Sequence, residues 1–139
     1  MNELIDADEF FQTLISNLSV SGLTVGADLG PDAGDQIPFI SHNSILSQNA
    51  NGPGLWTVNL TLTLYLEVTT TTFQTVKDVY AGVHGWGNGM GVDGFVMGLA
   101  AVVDVEDVQA FTRVGQDVAL NNKTVTQYVG SFELSIRNI

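Results

Sequence analysis

Trp56–Val68 reads WTVNLTLTLYLEV, and its pattern decides the fold. Trp56, Val58, Leu60, Leu62, Leu64, Leu66 and Val68 stand at every second position, with Thr57, Asn59, Thr61, Thr63, Tyr65 and Glu67 between them. Successive side chains on a strand point to opposite faces, so this spacing predicts one long strand with an apolar face and a polar face. A slip of one residue would carry the whole apolar set into water, so the pairing register is sharply specified. Fully buried, each of these side chains contributes roughly 1.5–3 kcal/mol, which makes the stretch the nucleus of a core.

Upstream, Gln48–Gly54 (QNANGPG) is dense in turn formers and reads as the tip of a long hairpin, too long for a two-residue turn. The other arm is Ile37–Ser47, extended in character, with Pro38 near its start where a missing N–H costs least. His42 lies in this arm; with no second histidine nearby it reads as a strand surface residue rather than a metal ligand. Downstream, Thr69–Thr72 breaks the strand and offers a helix cap. Phe73, Val76, Val79, Tyr80 and Val83 then follow helical spacing, and the helix ends near Gly82–Gly85.

Towards the N-terminus, Asp6 and Glu9 make a capping box for a first helix, whose stripe is Phe10, Phe11, Leu14, Ile15 and Leu18. Leu23–Val25 suits a short strand. Towards the C-terminus, Phe95–Asp104 (FVMGLAAVVD) is a mostly apolar run that fits a central strand covered on both faces, or one with an oligomer contact outside. Ala110–Leu120 and Thr124–Arg137 are expected to pair as a hairpin, with Tyr128, Phe132, Leu134 and Ile136 on one face of the last strand. Together these elements predict a single domain over residues 1–139. Its expected class is α+β: an antiparallel β-sheet with a long β-hairpin and two helices packed on one face.

Composition narrows the chemistry. Fifteen acidic residues stand against four basic ones, a formal net charge of −11, and Lys77, Arg113, Lys123 and Arg137 are too few to build a phosphate-binding patch. No cysteine is present, which removes thiol nucleophiles, disulfides and cysteine-ligated zinc. The acidic start MNELIDADEFF differs from a basic-then-apolar signal peptide, and no apolar run reaches the length of a membrane helix, so a soluble chain made in the cytoplasm is expected.

Local motifs do not point to catalysis. Gly89, Gly91 and Gly94 match G-x-G-x-x-G, but they follow a helix rather than a strand, so close backbone approaches are the better reading, with Asp93-Gly94 as a turn. The loop Asp28–Asp35 is acidic, yet it lacks the spacing and terminal glutamate of an EF-hand. Asp104, Glu106 and Asp107 read as a solvated acidic stretch, and His84 has no evident acid–base partner. Trp86, isolated among glycines, is either a core plug or an exposed contact. A non-enzymatic protein without cofactor or metal is expected.

The order of elements carries a family resemblance. A short amphipathic helix precedes a strand containing Pro38-Phe39-Ile40, and the long hairpin leads into WTVNLTLTLYLEV. The helix TTFQTVKDVYAGV and the closing strand VGSFELSIRN follow. This layout resembles the tail terminator (tail completion, minor tail) proteins of long-tailed bacteriophages over nearly the whole chain. The glycine-rich stretch 82–98 and the insert near Asn49 depart from it. The resemblance implies a virion structural protein made in the host cytoplasm. Its homohexameric ring would cap the tail tube, end its polymerisation and join it to the head connector or stopper, with double-stranded DNA passing the lumen unbound. Its partners would be copies of itself, the major tail tube protein and the connector, with no membrane. Expected subunit contacts are the hairpin tip (Gln48, Asn49, Asn51, Gly52), Trp86, and the polar face at Thr61 and Thr63. The alternatives are another neck or tail-tube protein, or a small acidic ligand- or calcium-binding domain using Asp28–Asp35.

Overall fold

The structure, a computed structural model, describes residues 4–18, 20, 22–26, 37–48, 54–87, 94–96, 99–120 and 123–138. In chain order the elements are α1 (Ala7–Ser16), β1 (Thr24–Gly26), β2 (Phe39–Gln48), β3 (Leu55–Glu67), α2 (Thr72–Gly85), β4 (Phe95–Val96), β5 (Ala100–Arg113), β6 (Val118–Leu120) and β7 (Lys123–Asn138). Among the described residues the strands form one seven-stranded sheet in the order β1-β2-β3-β7-β5-β4, with β6 also on β7. The class is α+β, as the patterning predicts.

β3 is the long strand of the sequence reading. Val58, Leu60, Leu62 and Leu64 are fully buried, Leu66 nearly so, and the intervening residues are half-buried or exposed. Val68 falls outside the alternation: it lies one residue past the strand end and is 45% exposed. β3 pairs antiparallel with β2 on one side and β7 on the other, without a register shift in either ladder. Phe132, Leu134 and Ile136 of β7 extend the apolar face.

Both helices lie on that apolar face. α1 begins where the Asp6 carboxylate accepts the Glu9 backbone N–H at 3.1 Å, satisfying one of the orphan donors of a helix start. It buries Phe10, Phe11, Leu14 and Ile15. α2 starts without a side-chain cap at Thr71; instead the Thr72 hydroxyl accepts from Thr69 N–H at 2.7 Å and donates to the Glu67 carbonyl at 2.9 Å, tying the helix to the end of β3. It buries Val76, Val79 and Val83, while Phe73 stays 55% exposed. These side chains and the even-numbered residues of β3 form one core cluster.

Two expectations need correction. The sheet is mixed rather than purely antiparallel, because β1 runs parallel to β2, Thr24 opposite Phe39. A parallel pair needs a crossover, and the chain between β1 and β2 is long enough to supply one. Phe95–Asp104 is not one central strand. The Leu99 N–H donates to the Val96 carbonyl at 3.0 Å, so the run folds back on itself as the hairpin β4–β5. Val103 is then 45% exposed instead of covered. The hairpin of β5 and β6 with β7 forms as expected, interrupted between Arg113 and Val118.

The glycine-rich stretch provides close approaches, as expected. A Cβ on Gly94 would stand 2.5 Å from the Trp86 carbonyl oxygen, and one on Gly82 would stand 2.5 Å from Leu18 Cδ2. Gly89, Gly91 and Asp93 lie outside the described residues, as does the acidic loop Asp28–Asp35.

Candidate functional site

Among the described residues the sheet has a second face that neither α1 nor α2 covers. Registers across β2, β3, β7 and β5 place its residues in rows: Ser41–Thr63–Val129–Thr112, Asn43–Thr61–Ser131–Gln109, Ile45–Asn59–Glu133–Glu106 and Ser47–Thr57–Ser135–Asp104. It is built of hydroxyls, amides and acids because these are the residues alternating with the buried set. Glu106 stands directly opposite Glu133 with Asp104 one row away, a like-charge arrangement that costs stability in an isolated subunit. Ile45, 63% exposed, is the apolar exception in the middle rows. Ile37, Phe39, Val125 and Tyr65 close one end as a small apolar cluster. Arg137 stands at the opposite end, level with Leu55 and Ala101.

The predicted contact residues separate on this frame. Thr61 and Thr63 sit side by side on β3 in the middle of the open face, half-buried by their cross-strand neighbours. Gln48 ends β2 opposite Trp56, whereas Asn49, Asn51 and Gly52 lie outside the described residues. Trp86 is 4% exposed and packs against Phe11, ring centroids 6.4 Å apart, so of its two readings it is the core plug.

Two histidines have surroundings that the sequence reading missed. His42 is 3% exposed, not a surface residue, because its strand position puts it on the helix-covered face. Its Nε2 lies 2.8 Å from Gln12 Oε1 on α1, while its Nδ1 and the Ser44 hydroxyl have no hydrogen-bond partner among the described residues. Burial holds the imidazole below its ordinary value, and the Asp8 carboxylate pulls the other way. His84 does have an acidic partner: its Nε2 lies 2.6 Å from Asp107 Oδ1, and the Tyr80 hydroxyl donates to Asp107 Oδ2. The hydrogen bond from Tyr80 holds the Asp107 carboxyl below the usual carboxylate range, and the same bond raises the Tyr80 phenol. Both carboxylate oxygens are thus engaged, and the trio ties α2 to β5. Beside it, Phe73, Val76, Lys77, Tyr80, Ala110 and Phe111 line a groove of about 220 Å³.

Among the described residues no three acids or histidines gather closely enough to hold a metal ion, and no helix is long and apolar enough to cross a membrane. Among the described residues the architecture is that of a sheet with one helix-covered face and one open face whose facing acids lie on β7 and β5. No protein-family model and no curated protein matches the chain.

Proposed function

We propose that this chain is a structural subunit of a bacteriophage virion: a tail terminator that assembles as a homohexameric ring. The ring caps the tail tube, ends its polymerisation and joins the tail to the head connector. The observation that carries this reading is the open sheet face, four long strands wide, with Glu133 on β7 opposite Glu106, and Asp104 one row away, on the outer strand β5. A monomer does not need so broad an uncovered face with like charges opposed. Copies arranged around an axis would instead present repeated acidic surface to a lumen. Double-stranded DNA could slide through such a lumen without being held, since no row of lysines or arginines is there to neutralise its phosphates. A head-to-tail interface whose rotation closes generates a ring of this kind.

The test is the mass of the purified protein in solution, alone and with tail tubes added. A single hexameric ring at the tube end is expected. Long stacks would identify a tube protein instead, and a chain that stays monomeric beside tubes would refute the ring.

A further inference from the structure

We propose that the open edge of β2, His42–Gln48, pairs antiparallel with the open edge of β5, Val103–Ala110, on the next copy of this chain. The proposal rests on the ring reading above and gives that ring its interface.

Each outer strand is only partly capped. Among the described residues β1 covers β2 over Phe39–Ser41 alone; β4 covers β5 over Ala100 and Ala101, and the Gly94 carbonyl accepts the next N–H, that of Val102, at 2.7 Å. The registers through β3 and β7 set Ser41 level with Thr112, and Gln48 level with Val102. The two caps therefore lie at opposite ends of the sheet, and the two uncovered stretches stand at the same height. An uncovered stretch is a row of unpaired N–H and C=O groups, a template for another strand.

Direction also fits. The successive strands β2, β3, β7 and β5 alternate, so β2 and β5 run opposite ways. Rotation about an axis along the strands keeps each strand's direction. The β2 edge of one copy then meets the β5 edge of its neighbour antiparallel, and the alternation continues from subunit to subunit. Such a contact joins two different patches and propagates until the rotation closes.

Charge selects this pairing over β5 with itself. Val103–Ala110 carries Asp104, Glu106 and Asp107, whereas His42–Gln48 (HNSILSQ) carries no acid, lysine or arginine in a chain of net charge −11. Two β5 edges would set acid against acid; a β2 edge presents none. β2 also lacks the usual guards of a free edge: it has no lysine, no proline within Phe39–Gln48 and no bulge, and Ile45 is exposed beside it. β5 has register shifts at Val102/Asp104, Asp107/Gln109 and Gln109/Thr112. Bulges bend a strand and increase its local twist, the curvature a sheet needs to close around an axis.

The natural chain has no cysteine, so introduced thiols are unique. The Ile45→Cys, Glu106→Cys and double variants of the chain are treated with a short bis-maleimide and run on a denaturing gel, while native mass is measured on the same samples with tail tubes present. The double variant is expected to give a ladder of covalent multimers, with each single variant remaining one chain. Covalent dimers from Ile45→Cys alone would overturn the proposal in favour of β2 pairing with itself. A hexameric native mass without cross-links in the double variant would overturn the edge pairing and leave the ring intact; a monomeric mass would sink the ring. As a second check, Ile45→Lys with an unchanged circular dichroism spectrum is expected to weaken assembly at least tenfold, and unaltered assembly would count against the β2 edge.

Discussion

At the scale of single residues, the spaces around glycine and histidine decide most. Gly94 sits where a Cβ would press on the Trp86 carbonyl at 2.5 Å, a backbone atom that cannot swing aside. Gly94→Ala is therefore expected to cost about 1–3 kcal/mol, read as a lowered urea midpoint with an unchanged slope. At Gly85 a Cβ meets nothing within 4 Å, so Gly85→Ala is the control and should be neutral or slightly stabilising. His42 gives the pH dependence. Its folded-state value is held below 6.5, so the unfolded chain binds the additional proton first as the medium is acidified. The stability present above that pH is lost as pH falls below it. Urea midpoints should drop as the pH falls through and below 6.5, and less steeply in His42→Gln, which cannot titrate.

At the scale of elements, both helices are held by buried area plus polar ties, α1 through Gln12 to His42 and Val25 and α2 through Tyr80 and His84 to Asp107. Phe11 is fully buried between α1 and Trp86, so Phe11→Ala should destabilise by about 3–5 kcal/mol in equilibrium unfolding. The tie from Tyr80 and His84 to Asp107 is solvent-exposed, and screening keeps such pairs near or below about 1 kcal/mol. Asp107→Asn should leave the fold in place and make hydrogen exchange in the last turns of α2 faster. What was legible in the sequence follows the same division. β3, α1 and α2 could be read because one strict period runs through each, and that period records which face meets the core. β5 could not be read this way, since its register shifts break the alternation and Val103 and Val108 end up exposed. His84 and Asp107 are 23 residues apart, and only the docking of α2 on the sheet brings them together. The burial of His42 was in principle readable, because it lies in the same alternating set as Ile40 and Leu46; a polar imidazole without a metal partner suggests a strand surface instead. The open face was half-legible: Thr61 and Thr63 stand out in the alternation, but the alignment of Glu106 with Glu133 depends on two ladders at once.

At the scale of the whole molecule, net charge governs association. Copies carrying −11 each repel one another, and salt screens that repulsion over a Debye length of about 10 Å at 0.1 M. Self-association should therefore strengthen as ionic strength rises from about 0.05 to 0.5 M, the opposite of a complex held by ion pairs between subunits. Sedimentation at several salt concentrations measures this directly, and dissociation on adding salt would argue for ion pairs between subunits and against the proposed edge pairing. Glu106→Gln should have the same sign of effect at low salt, because it removes one acid of the facing Glu106–Glu133 pair.

The two indoles occupy unlike stations in this architecture. Trp86 is sealed between α2 and α1, whereas Trp56 is only half-buried and sits at the start of β3, opposite the last residue of β2. Emission from Trp86 should be blue-shifted in the native subunit and move to the red only when the helices leave the sheet. Trp56, in a Trp86→Phe background, should change colour or quenching when a neighbour docks, so a single spectrometer can follow folding and assembly as separate optical signals.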